Sequence, residues 1–194
     1  MIRDVLVNLA LDGETDPGAD YALSVAREFG AQITGIAFAL EIEVPATYFG
    51  AFPAELMLET RKQSEETAAS ATARFTDAAR RVGVQAETRT ATLSVDGAAD
   101  AFGRLARLFD VTVLGQPNPD RVGPEAVLLE AALFESGRAL LVVPYVQKEP
   151  LKLDRVLVAW DGSRAATRAV AEARPFLAKA KQVEILVVES GRPD

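Results

Sequence analysis

The chain has 194 residues, a net charge of -7 and neither cysteine nor histidine. Disulfides, thiolate nucleophiles, Ser-His-Asp triads, phosphohistidine and imidazole- or thiolate-held zinc are thereby excluded. The acidic balance argues against a sequence-independent grip on nucleic acid, which needs a dense Lys/Arg surface. With 49% hydrophobic residues there is ample material for a core. No apolar run reaches the roughly 18–20 residues that span a bilayer, and Met1-Ile2-Arg3-Asp4 leads straight into a short apolar segment. No membrane partner and a cytoplasmic location are expected.

Val5-Leu6-Val7-Asn8-Leu9 is a continuous apolar run, the pattern of a strand covered on both faces. Pro17 suits the first turn of a helix, along which Tyr21, Ala22, Val25, Ala26 and Phe29 recur at helical spacing until Gly30 stops it. A second strand spans 32–39, and Tyr48, Phe49 and Phe52 follow in a looser stretch. These aromatics either pack as a satellite core or line a groove. The longest helix is predicted over 53–82, with Ala68, Ala71, Phe75, Ala78 and Val82 as its inward stripe and Gly83 as its end. On its outer side, Glu65 and Glu66 read as a solvated face.

An alternating strand is expected over 84–92, a helix through Val95, Ala98, Phe102 and Ala106, and a fourth strand over 110–115. After the proline-rich loop 116–124 come a helix ending at Ser136-Gly137 and a fifth strand over 139–144. Strands alternating with helices require crossovers, hence a parallel sheet with helices on both faces. The fold class is therefore α/β, a doubly wound five-stranded parallel sheet in residues 1–145.

A linker over 146–153 precedes a partial repeat in residues 154–194. Val156-Leu157-Val158 repeats Val5-Leu6-Val7 at an offset of 151 residues. Ala169, Ala173, Arg174 and Phe176 repeat Ala22, Ala26, Arg27 and Phe29 at an offset of 147, so the first turn is four residues longer in the first copy. Residues 183–188 repeat the second strand, leaving a second copy that stops after one βαβ unit.

That second copy reads Val156-Leu157-Val158-Ala159-Trp160-Asp161-Gly162-Ser163. A strand running into Asp-Gly-Ser and an Ala-rich helix resembles the opening of a universal stress protein domain. So do the fourth strand ending in Val113-Leu114-Gly115 and the fifth in Leu140 to Pro144, and Glu135-Ser136-Gly137-Arg138 between them. The resemblance implies strand order 3-2-1-4-5, the adenine-nucleotide alpha-hydrolase-like arrangement, in a tandem bacterial type with a degenerate first and a truncated second domain. It implies ATP or AMP as ligand, with Asp161, Gly162 and Ser163 at the adenosine. The same three residues also suit an Asx-turn with Ser163 near the N-cap, which needs no ligand.

ATP-binding members carry G-x2-G-x9-G-(S/T) after the fourth strand. Here Gly115 fits the first position, Asn118 stands at the second, and Ala126-Val127 occupy the last. Pro117, Pro119 and Pro124 remove backbone donors, and Gly123 is out of step. The first copy is therefore expected to bind ATP weakly or not at all. Asp12, with Gly13, is a candidate counterpart of Asp161, and Arg121 a candidate phosphate contact. An ATP pyrophosphatase would need S-G-G-x-D-S and an adenylyl transferase its histidines, and neither is present. The expected function is a non-enzymatic stress-response or signalling role. The alternative is a structural half of a pseudodimer. The resemblance also implies homodimerisation through strand Leu140–Val143; exchange of the tail between chains is the other route.

Overall fold

The structure is a computed structural model in which residues 1–11, 15–41, 54–117 and 123–187 are described. It divides into two compact units, Ile2–Pro150 and Leu151–Asp194 with Met1.

The first unit alternates β1 (Asp4–Asn8), α1 (Pro17–Phe29), β2 (Gln32–Leu40), α2 (Ala54–Val82), β3 (Ala86–Leu93), α3 (Val95–Ala106), β4 (Val111–Gly115), α4 (Glu125–Glu135) and β5 (Ala139–Val143). Its five strands are all parallel and lie in the expected order β3-β2-β1-β4-β5. β1 is central because its continuous Val-Leu-Val run has no polar face to offer solvent. Val5, Leu6 and Val7 are fully buried, each such side chain contributing roughly 1.5–3 kcal/mol.

Successive strand residues face opposite sides. Ile36 and Phe38 join Leu6, Leu114, Phe102 of α3 and Leu128 of α4 in one apolar layer, where the Phe38 and Phe102 rings meet edge to face at 6.1 Å. Gly35 turns to the other side. A β-carbon there would stand 2.8 Å from the Phe75 ring, so the missing side chain lets α2 sit close to the sheet. The buried stripe of α2 is Ala68, Ala71, Phe75 and Ala79. Ala78 and Val82, expected in that stripe, are not: Ala78 is half-buried and Val82 exposed. A step of four from Phe75 selects Ala79, which keeps the stripe aligned with the sheet over the last turns. β3 also departs from the expected alternation. Glu87, Thr88, Arg89 and Thr90 are all exposed, as befits an edge strand protected by polar side chains.

The second unit holds β6 (Arg155–Trp160), α5 (Arg164–Lys179) and β7 (Gln182–Val187), with β6 and β7 parallel and Val156 opposite Val183. No residue of α5 is buried. Among the described residues no helix is long and apolar enough to cross a membrane.

Candidate functional site

A cleft of about 450 Å³ opens at the carboxyl ends of the strands in the first unit. It lies where β1 and β4 are neighbours and the sheet order reverses, the position where open α/β sheets take ligands. Leu9, Phe38, Leu128 and Val143 form its buried floor and Leu40 a half-buried edge; Asn8, Gln116 and Tyr145 supply uncharged polar groups.

Two helices begin at this cleft, and each start holds a carboxylate of the chain itself. Asp16 is the N-cap of α1: Ala19 N donates to its Oδ1 at 2.9 Å, and Ala10 N donates to its Oδ2 at 2.7 Å. One side chain thus ties the end of the first strand to the first turn of the helix. Burial pushes the Asp16 carboxyl above its ordinary value of 3.8, with the backbone donors of Ala19 and Ala10 pulling the other way. At α4 the cap residue is Pro124, which has no side-chain capping bond, and Glu125 stands in the first turn. The Glu125 carboxylate folds back onto Gly123, where it leaves no room for a β-carbon. The positive end of each helix dipole, which could otherwise attract an anion, has a carboxylate of the chain beside it.

Gly115, the residue matching the first glycine of the family loop, ends β4 and lines this cleft. Its φ is not positive, and a β-carbon on it would meet nothing within 4 Å among the described residues. Gly18 is different. A β-carbon there would lie 2.9 Å from Gly115 N, so the start of α1 can rest against the end of β4 only as glycine.

Asp161, Gly162 and Ser163 lie in the second unit, in the turn between β6 and α5. Ser163 N donates to Asp161 Oδ1 at 2.9 Å, Gly162 has φ 75°, and Ala166 N donates to Ser163 Oγ at 3.0 Å. This is the Asx-turn and N-cap arrangement that the sequence offered as one of two readings. Hydrogen bonding from the Ser163 side chain, and then from its backbone N–H, holds the exposed Asp161 carboxyl below 3.8. Asp12, Gly13, Tyr48, Phe49, Phe52, Asn118 and Arg121 lie outside the described residues. Ala126 and Val127 sit exposed in the first turns of α4.

The sequence reading missed Asp16 and Glu125. The signal for Asp16 was there, an aspartate directly before a proline at the first helical position. The two turns also fix the repeat register. Asp16 caps onto Ala19 and Ser163 onto Ala166, the same offset of 147 that the helix residues show. By the strand offset of 151, Asp161 corresponds to Ala10.

No protein-family model matches the chain, and no curated protein does. Solved structures do resemble it, universal stress proteins among them. One from Archaeoglobus fulgidus DSM 4304 is 15% identical with a TM-score of 0.69, covering 97% of this chain and 68% of its own. The universal stress protein UspA from Lactobacillus plantarum is 14% identical with a TM-score of 0.52, covering 73% of this chain and 97% of its own. The hypothetical protein MJ0577, a test case for assigning biochemical function from structure, is 13% identical with a TM-score of 0.53, covering 76% and 99%. The chain has the fold of the universal stress proteins: a doubly wound parallel sheet with its cleft at the strand carboxyl ends.

Proposed function

We propose that the chain is a universal-stress-type, non-enzymatic stress-response or signalling protein. In this reading residues 1–145 are one domain, 146–153 a linker and 154–194 the opening of a second, incomplete domain, and the protein acts by self-association. The first domain does not hold ATP by its phosphates. The observation that carries this last point is the pair of carboxylates, Asp16 and Glu125, at the two helix starts that border the cleft. A triphosphate brought there would meet like charge where binding requires free N–H groups and a positive dipole end. If adenosine is bound by the chain, Asp161, Gly162 and Ser163 are the residues that meet it.

Self-association is supported by β5, a sheet edge whose Val142 is exposed, with Tyr145 and Val146 exposed just beyond it. An apolar unpaired edge is a template for a second strand. The β6–β7 pair, carrying exposed Leu157, Ile185 and Val187, gives tail exchange as the other route.

Titration calorimetry with ATP is expected to give no saturable heat at micromolar concentrations, and micromolar affinity abolished by Gly115→Ala would overturn the reading of the cleft. Light scattering is expected to show a dimer that Val142→Lys disperses. A concentration-independent monomer would overturn the association.

A further inference from the structure

β3 is the longer of the two edge strands of the first unit, eight residues against five for β5. Its pairing with β2 runs without a break from Ala86 to Leu93. Ile33 N donates to Gln85 O and Glu41 N to Leu93 O, so the odd-numbered residues turn their backbone groups to β2. Ala86, Thr88 and Thr90 therefore turn theirs outward, and among the described residues no strand meets them.

The amino half of this strand is open on both faces as well. Glu87 and Arg89 share the face of Thr34 and Ile36, Thr88 and Thr90 the face of Gly35. All four are exposed, although α3 packs on the first face and α2 on the second. The chain leaves the described residues after Glu41, at the other end of the strand. β3 also lacks the proline, lysine or bulge that commonly closes an edge. Its polar side chains discourage apolar association without covering the backbone.

The charges decide what such an edge accepts. Arg89 Nη2 lies 3.8 Å from Glu87 Oε2 in the same strand, a loose pair with both side chains in solvent. In an antiparallel pair, directly opposite residues share a face and interact. When two copies meet about a two-fold axis at Thr88, Thr88 stands opposite itself, Thr90 opposite Ala86 and Glu87 opposite Arg89. The outward backbone groups of Ala86, Thr88 and Thr90 then bond across the axis. Both Glu–Arg pairs fall at the closer, non-hydrogen-bonded positions. Neighbouring registers fail. An axis at Glu87 or Arg89 sets like charges against each other, and one at Thr90 leaves Glu87 against Leu93.

We propose that β3 is a second self-association edge, joining two copies of the chain antiparallel about Thr88. It is separate from the β5 contact and weaker, since exposed ion pairs contribute little and no large apolar side chain is buried.

The test uses the Val142→Lys chain, whose β5 edge is blocked, at submillimolar concentration and low salt. Sedimentation is expected to show a monomer–dimer equilibrium. Glu87→Arg and Arg89→Glu, both at exposed positions, should each raise its dissociation constant about tenfold or more by setting like charges opposite. Mixing these two variants, or combining both changes in one chain, should restore association, because the charges are complementary again. In a chain without other cysteine, Thr88→Cys should give a disulfide-linked dimer on mild oxidation, and the equally exposed Thr90→Cys should not. Association that neither single charge change weakens would overturn the proposal, as would a mixture that stays monomeric or equal cross-linking at the two positions. A Val142→Lys chain that is monomeric throughout also overturns it. The β5 reading then stands if the unchanged chain is a dimer, and falls with it if that chain is monomeric too.

Discussion

The turn after β1 and the turn after β6 perform one task in opposite directions. In the first unit the carboxylate sits on the helix cap, Asp16, and reaches back to Ala10 N at the strand end. In the second it sits at the strand end, Asp161, and reaches forward to Ser163 N on the cap. Both close a strand-to-helix turn with one acidic side chain, yet their surroundings differ. Asp16 is withdrawn into a cleft and its pKa is raised; Asp161 is exposed and its pKa is lowered. The strands differ likewise. Leu6 is fully buried between β2 and β4, while Leu157, its counterpart in the repeat, is 59% exposed on a two-stranded sheet. Local sequence sets the element and the turn; the number of neighbouring strands sets the burial.

Truncating the paired leucines should break the comparison most visibly. Leu6→Ala is expected to cost about 2–5 kcal/mol in urea unfolding of the first unit, and Leu157→Ala under about 0.5 kcal/mol. Equal losses would mean that Leu157 is covered in solution, by a second copy or by tail exchange. The caps come next. Asp16→Ala should cost about 1–2 kcal/mol, because it leaves both Ala19 N and Ala10 N without their acceptor, and Ser163→Ala about 1 kcal/mol or less of the second unit.

Thr112 sharpens the point from within the core. Its hydroxyl is buried in β4 with no hydrogen-bond partner among the described residues. Thr112→Val keeps the shape and should stabilise the first unit by about 1 kcal/mol. A loss of stability would show that the hydroxyl has a partner in solution.

The smallest effect is a pH dependence. Below pH 3.8 Asp16 is protonated in folded and unfolded chains alike. Because burial raises its folded value, the unfolded chain gives up the proton first as pH rises, and stability declines through that window. Asp16→Asn should flatten this decline in urea midpoints measured between about pH 4 and 7. An unchanged slope would place the cost elsewhere.

The helix stops at Gly30 and Gly137, the parallel pairing and the buried place of β1 were legible in the sequence, because each follows from a residue pattern that acts locally or over one strand pair; the strand order came from the family resemblance. The inward stripe of α2 was less so. Ala78 and Ala79 are chemically identical, and only the crossing of the helix over Gly35 selects the second. The cleft was hidden for a related reason. Matching glycines to a phosphate loop shows what is missing but not what replaces it. Asp16 and Glu125 are more than a hundred residues apart in the chain, and it is the return of β4 beside β1 that brings both helix starts to one opening.

That replacement of phosphate by carboxylate is tested most directly by the backbone amides of Gly18, Gly115 and Leu128 during titration with ATP. The account predicts that they stay in place through millimolar nucleotide, and that any amides that move are those of residues 161–163. Saturable shifts at Gly18 and Gly115 would contradict it.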